Sequence, residues 1–282
     1  MIASGAARLG EGAMEKVRAI LIGAAGRMGL RMLAAIQETA HIHLTGAVER
    51  PDHSFVGRDI GEVAGMGKWN LPLVGSLPEV IGQGDVIIDF TNAEASLKNL
   101  EEAARNRKAA VVGSTGFSPS QMDAVQTLTQ TIPCVLSPNM SVGVNVLYKV
   151  IGDLARILGE DYDVEVIEAH HRMKKDAPSG TAIKMGQILA QALNRDFAKV
   201  ARFARQGLIG ERNRPEIGMQ TIRAGDIVGE HTVIFGGIGE RIEVTHRAHS
   251  RDNFARGAIR AAAWVVKQKP GLYDMQDVLG LR

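Results

Sequence analysis

Between Glu168 and Thr181 the chain places two histidines, one arginine, two lysines and two hydroxyl side chains within fourteen residues, its densest polar stretch. Arg172, Lys174 and Lys175 concentrate positive charge in a protein whose 33 basic and 31 acidic residues leave a net charge of only +2. Ser179, Gly180 and Thr181 add hydroxyls and backbone N–H groups at the start of an expected helix. Together these groups form an anion receptor suited to carboxylates. Histidine titrates near neutrality and is a natural proton donor in such a loop. Adjacent side chains in extended chain point to opposite sides, so His170 and His171 are poorly placed to chelate one ion, and no metal is expected. On the residues alone, a basic loop that is merely solvated stays an open alternative.

A second chemistry-bearing segment is Gly23-Ala24-Ala25-Gly26-Arg27-Met28-Gly29. Positions without a Cβ allow a tight turn and close approach of a pyrophosphate, while a following helix N-terminus offers N–H groups to the phosphates. The spacing is G-x-x-G-x-x-G, with Ala25 where the commonest dinucleotide fingerprint carries glycine. Glu49 lies 20 residues beyond Gly29, where an acidic residue holds ribose hydroxyls. Arg50 beside it suits a 2′-phosphate instead. Either residue could also simply be solvated at a strand end. Phe90-Thr91 and Gly113-Ser114-Thr115-Gly116-Phe117 are further candidate loops, or ordinary turns.

The elements that must position these groups can be read from periodicity. Val17–Ile22 is a short β-branched run ending at Gly23, and Arg27–Glu38 has apolar residues at helical spacing. Strands over 43–48, 85–90, 109–112 and 133–136 alternate with helices over 93–106 and 119–129, with a long loop expected over 50–70. That alternation is the pattern of a parallel sheet with crossover helices. After Asn139 the rhythm changes. Helices over 142–158 and 181–193 flank a strand at 164–168. Strand-like stretches at 219–223, 228–235 and 241–246 then precede a helix over 253–267. The expected fold class is therefore α/β: an N-terminal Rossmann-type parallel sheet plus a central α+β domain with a mixed sheet.

The near-neutral balance gives no reason to expect nucleic acid or an anionic membrane as partner. Cys134 is the only cysteine, so no intrachain disulfide can form, which suits a reducing cytoplasm. No window approaches the ~18 apolar residues of a spanning helix. Residues 1–15, rich in Ala and Gly, read as a flexible tail.

Taken together, these segments resemble the 4-hydroxy-tetrahydrodipicolinate reductase family, also called dihydrodipicolinate reductase. Carrying the resemblance are Gly23–Gly29, Ile88–Thr91, Gly113–Phe117, Asn139–Asn145, Glu168–Thr181, Arg223–His231 and Gly271–Val278. The Glu-Ala-His-His-Arg…Lys…Asp-Ala-Pro-Ser-Gly-Thr segment is the specific one; the glycine loop is shared with many dehydrogenases. The resemblance implies NADH or NADPH held by Gly23, Ala24, Ala25, Gly26, Arg27, Met28, Glu49 and Arg50. Phe90, Thr91, Gly113, Ser114, Thr115 and Ser137, Pro138, Asn139, Met140 would complete that site. It implies His170 as general acid, Lys174 as second proton donor or carboxylate anchor, and His171, Ser179, Gly180 and Thr181 as further contacts to a small cyclic dicarboxylate. It implies a dinucleotide domain over 16–140 plus 251–282, a substrate and tetramerisation domain over 141–250, and a homotetramer. Ser114 stands where Thr is common, and Met173 where other members carry a polar or basic residue. Another dehydrogenase on the same fold, or a nucleotide-binding redox sensor without turnover, are the rival readings.

Overall fold

The computed structural model describes residues 16–282, so the tail expected over residues 1–15 lies outside the described residues. In chain order the elements are β1 (Val17–Ile22), α1 (Arg27–Gln37), β2 (Ile42–Val48), α2 (Ile60–Val63), β3 (Leu73–Val74), β4 (Val86–Asp89), α3 (Ala93–Arg105), β5 (Ala109–Val112), α4 (Pro119–Leu128) and β6 (Pro133–Leu136). They continue with α5 (Val142–Leu158), β7 (Asp163–His170), α6 (Gly180–Ala192), α7 (Phe197–Val200), β8 (Ala201–Arg202), β9 (Ile217–Arg223), β10 (Gly229–Gly236), β11 (Arg241–Ala248), α8 (Asp252–Val265), β12 (Gly271–Tyr273) and α9 (Met275–Leu279). Two compact units result. One runs to Cys134 and takes in Ile259–Leu272; the other comprises Val135–Ala258 and Tyr273–Arg282.

The first sheet has the strand order β12-β6-β5-β4-β1-β2-β3. Read from β3 to β6, this is the 3-2-1-4-5-6 order of a dinucleotide-binding sheet. β1 runs parallel to β2 and β4, β2 to β3, and β4 to β5. Near-continuous apolar runs suit strands covered on both faces: Ala19–Leu21, Val86–Ile88 and Ala110–Val112 have no exposed surface. β12 extends the sheet beyond β6.

The stretch expected as a loop over 50–70 contains α2. Asp59 organises it, accepting from the N–H groups of Glu62, Trp69 and Leu71. One carboxylate thus gathers a glycine-rich segment that has no periodicity of its own, and β3 follows.

The second sheet has the order β11-β10-β7-β9-β8 and is mixed. β10 is antiparallel to β7 and β11, while β7 and β8 run parallel to β9. Side chains alternate across it. Val164, Val166, Ile217, Met219, Val233 and Phe235 point to one face and meet Val144, Leu147, Ile151, Met185 and Leu189 of α5 and α6. The apolar residues of α5 recur every three or four positions, and Ser141 caps it by accepting the Val144 N–H. By the same alternation Glu168, His170, Arg223, Gly229, His231 and His246 belong to this helix-facing side.

Candidate active site

In the first unit β1 delivers the chain into the glycine loop. The Gly23 and Ala24 N–H groups bond the Val48 carbonyl, and α1 begins after Gly26 with no side-chain cap. Gly23 adopts φ +70°, and a Cβ on it would lie 3.1 Å from Thr91 Cγ2. A Cβ on Gly29 would sit 2.3 Å from the Gly23 carbonyl oxygen and 2.4 Å from that of Ala24. The turn therefore closes only with glycine at both ends, and its helix terminus stays open for an anion. Gly23, Gly26, Arg27, Met28, Glu49, Arg50, Phe90 and Thr91 line one cleft of about 780 Å³. His53, Ser76 and Lys98 line it as well, and no spacing rule had singled them out. Ala24 is fully buried and Ala25 half-buried, so their side chains form the loop's underside.

At the far end of this cleft Glu49 accepts the Arg50 N–H at 3.1 Å, and Arg50 Nε lies 3.3 Å from Asp52. Thr91 is fixed from below. Its N–H and hydroxyl both donate to Asp89, which is fully buried at the end of β4 and also accepts from Asn99 at 2.7 Å. Ser96 donates to Ser114 at 2.7 Å. Gly113 leaves room for Phe90, whose ring a Cβ there would meet at 2.3 Å. Thr115 is exposed. Asp89 was missed in the sequence, although one acid in an apolar strand is itself a signal. These glycines, the open helix terminus and the acidic residue at the end of β2 fit a dinucleotide.

Ser137, Pro138, Asn139 and Met140 belong to the second unit. Ser137, Pro138 and Asn139 line a recess of about 600 Å³ there, with Tyr148 and Lys184, whereas Met140 is buried with its carbonyl against Gly257. Asn139 donates to the Thr181 hydroxyl at 3.1 Å, so this segment and the start of α6 are tied together. Burial pushes the neighbouring Tyr148 hydroxyl up to about 12, against a hydrogen bond with Thr181.

His170 ends β7, and its Nδ1 lies 2.5 Å from Glu168 Oε2. Glu168 is only 1% exposed. It accepts both Arg223 terminal nitrogens, at 2.8 and 2.9 Å, and the Ser179 N–H at 3.0 Å. Burial pushes its carboxyl up, but the hydrogen bonds from His170, Arg223 and Ser179 prevail and hold it at about 2. A carboxylate that stays ionised cannot donate, so His170 Nδ1 carries the hydrogen of this pair.

Ser179 caps α6 by accepting the Ala182 N–H, and its hydroxyl lies 3.1 Å from His231 Nε2. At 2% exposed, with N–H and hydroxyl both engaged, it builds the site from within. Gly180 is exposed and Thr181 half-buried at the same helix start. His231 meets His170 edge to face, with ring centroids 5.2 Å apart. Burial and then the charge of His170 push His231 down to about 3, so it is neutral. Lys174 reaches Asp176 at 2.8 Å, and His171 keeps a buried Nδ1 without a partner. Arg223 and His231 had no assigned role in the sequence. Arg223 pairs with His170 in register across β7 and β9, a long-range match that no local spacing reveals.

The family models for dihydrodipicolinate reductase match residues 17–140 with the N-terminus and 143–279 with the C-terminus. The chain is 58% identical over 266 residues to the 4-hydroxy-tetrahydrodipicolinate reductase of Syntrophus aciditrophicus, covering 94% of this chain and 99% of that one. It is 59% identical to the one from Geotalea uraniireducens, covering 94% and 100%. A solved dihydrodipicolinate reductase from Paenisporosarcina sp. TG-14, with dipicolinate bound, superposes with a TM-score of 0.72 at 23% identity, covering 93% and 98%. At that identity the likeness shows the fold alone.

Proposed function

The chain belongs to the dihydrodipicolinate reductase family, and from that premise we propose how its residues divide the work. It is an NAD(P)H-dependent oxidoreductase of lysine and diaminopimelate biosynthesis, reducing 4-hydroxy-tetrahydrodipicolinate to tetrahydrodipicolinate. When bound, NADH or NADPH supplies the hydride; the substrate's 4-hydroxyl leaves as water.

The glycine loop Gly23–Met28 receives the pyrophosphate, Glu49 the ribose hydroxyls and Arg50 a 2′-phosphate. Phe90, Thr91 and Gly113–Thr115 continue that site, held by Asp89 and Ser96. Lys174, His171 and the N–H groups of Gly180 and Thr181 anchor the two carboxylates of the substrate, which fixes its orientation. Positive charge here also offsets the electron density that arrives in the ring. His170 gives the ring its proton, and Lys174 is the second donor or anchor. In this scheme 16–140 plus 251–282 serve the dinucleotide, and 141–250 serve the substrate and tetramerisation.

The observation that carries this reading is the buried Glu168 carboxylate held at His170 Nδ1, an arrangement that keeps the imidazole aimed. The test is a coupled assay with aspartate semialdehyde, pyruvate and the preceding synthase, following NADH and NADPH separately. His170→Gln should lower kcat by about a hundredfold or more with a smaller change in KM; an unchanged kcat would remove His170 from catalysis.

The homotetramer is part of the same proposal. The face of the second sheet opposite α5 and α6 carries Ile167, Ile222 and Ile234, and Ile222 is 48% exposed. These isoleucines, on a face that also carries Glu165, Thr232 and Arg247, support association through the sheet. Among the described residues no helix is long and apolar enough to cross a membrane; a cytoplasmic location is proposed with the pathway.

A further inference from the structure

We propose that Nε2 is the nitrogen through which His170 delivers its proton, that Glu168 selects it, and that Gly229 leaves room beside it. This rests on the reading of His170 as the proton donor. The selection follows from the ring's other nitrogen. Nδ1 is held 2.5 Å from a carboxylate that itself takes Arg223 and the Ser179 N–H, so its hydrogen points inward. A proton leaving from Nδ1 would have to pass through Glu168. In the charged ring the second N–H is on Nε2. Transfer breaks that N–H bond, leaves its electron pair on the ring and forms the new bond to the substrate. The ring is then neutral with its hydrogen on Nδ1, still bonded to Glu168, and water restores the proton at Nε2.

Gly229, at the start of β10, faces this nitrogen. A Cβ built on Gly229 would lie 3.1 Å from His170 Nε2 and 3.4 Å from Cδ2. Gly229 is itself buried, so an added methyl group would press on the ring at this nitrogen. The ring cannot give way, because Glu168 holds one edge and the His231 ring stands against it with centroids 5.2 Å apart. Gly229 is not among the residues with positive φ, so alanine there is not excluded by backbone conformation. Glycine at this position therefore serves room beside Nε2 and not a turn, and replacing it should cost turnover.

Two measurements test this. The first is Gly229→Ala, assayed beside His170→Gln. Gly229→Ala should lower kcat about tenfold or more, with the NADH dissociation constant at its wild-type value. The second is neutron diffraction from crystals of the whole protein in deuterated buffer, which locates deuterium on the His170 ring. The inference expects it on Nδ1, facing Glu168; deuterium on Nε2 alone would overturn it, whatever the variant does. Wild-type kcat in Gly229→Ala together with a crippled His170→Gln would overturn the role of Gly229 and leave His170 as donor. Wild-type kcat in His170→Gln would instead remove the reading on which the inference stands.

Discussion

Acid should undo this site through His231, and the size of the effect can be worked out. The ring is 4% exposed, bonds only Ser179 through Nε2, and keeps Nδ1 without a partner. Its pKa falls from 6.5 to about 3 because burial and then the charge of His170 oppose protonation. Between those values the unfolded chain binds a proton here that the folded chain does not. Stability from this residue is therefore complete above pH 6.5 and is lost as pH falls toward 3. Each pH unit costs about 1.4 kcal/mol, about 5 kcal/mol over the interval. That is as large as the whole stability of many domains. Glu168 adds to the loss lower down: its depressed pKa gives stability that is present above 4.5 and disappears as pH falls toward 2. His231→Gln removes the titrating ring. Urea unfolding of wild type and variant from pH 7.5 to 4.5 should give curves that converge. Between pH 6.5 and 4.5 the wild type should lose about 3 kcal/mol more, or roughly 1–3 M in midpoint at an ordinary urea slope. Parallel pH dependences would refute the argument, whatever the variant's stability at neutrality.

Three further outcomes are expected. Gly29→Ala forces a Cβ to 2.3 Å from the Gly23 carbonyl; it should destabilise by about 1–3 kcal/mol and weaken NADH binding at least about tenfold by fluorescence titration, and unimpaired binding would refute the close-packed turn. Arg50→Ala should raise KM for NADPH at least about tenfold and leave NADH nearly unchanged, whereas Glu49→Ala should do the reverse; equal effects on both cofactors would refute the division of roles. Lys174→Ala should lower kcat and raise KM for the dicarboxylate, each by about tenfold or more, in initial-rate kinetics. If neither moved, the anchor would be lost.

What could be read in the sequence follows the range of the forces involved. The glycine loop was legible because its strand, turn and helix are contiguous, and Glu49 because one strand's length separates it from Gly29. α5 emerged with its ends at Val142 and Leu158, since seventeen residues of regular apolar spacing leave little ambiguity. α2, β3, α7, β8, β12 and α9 were not read, having two to five residues each and no usable period. Within the site, His170 and Lys174 share one short segment and were found together. Glu168 was seen only as the start of that segment, although its place two residues before His170 in a strand puts both on one face. Arg223 and His231 come from strands 53 and 61 residues beyond His170, joined by pairings that only the folded sheet creates. Ser179 was named for its hydroxyl, but its cap to α6 and its bond to His231 turn it inward.

The position of β12 beside β6 sets a schedule for the ribosome. β6 ends at Leu136 and β12 begins at Gly271, with the whole second sheet made in between. At ordinary synthesis rates those 134 residues take roughly 7–27 s. Throughout that interval β6 presents a raw edge of backbone N–H and C=O groups to the cell, the kind of edge that invites pairing with other chains. The nascent dinucleotide unit must therefore wait, and chaperone demand should concentrate on this stage of translation. A ribosome stalled shortly before Gly271 would hold a nearly full-length product whose first sheet still lacks its last strand.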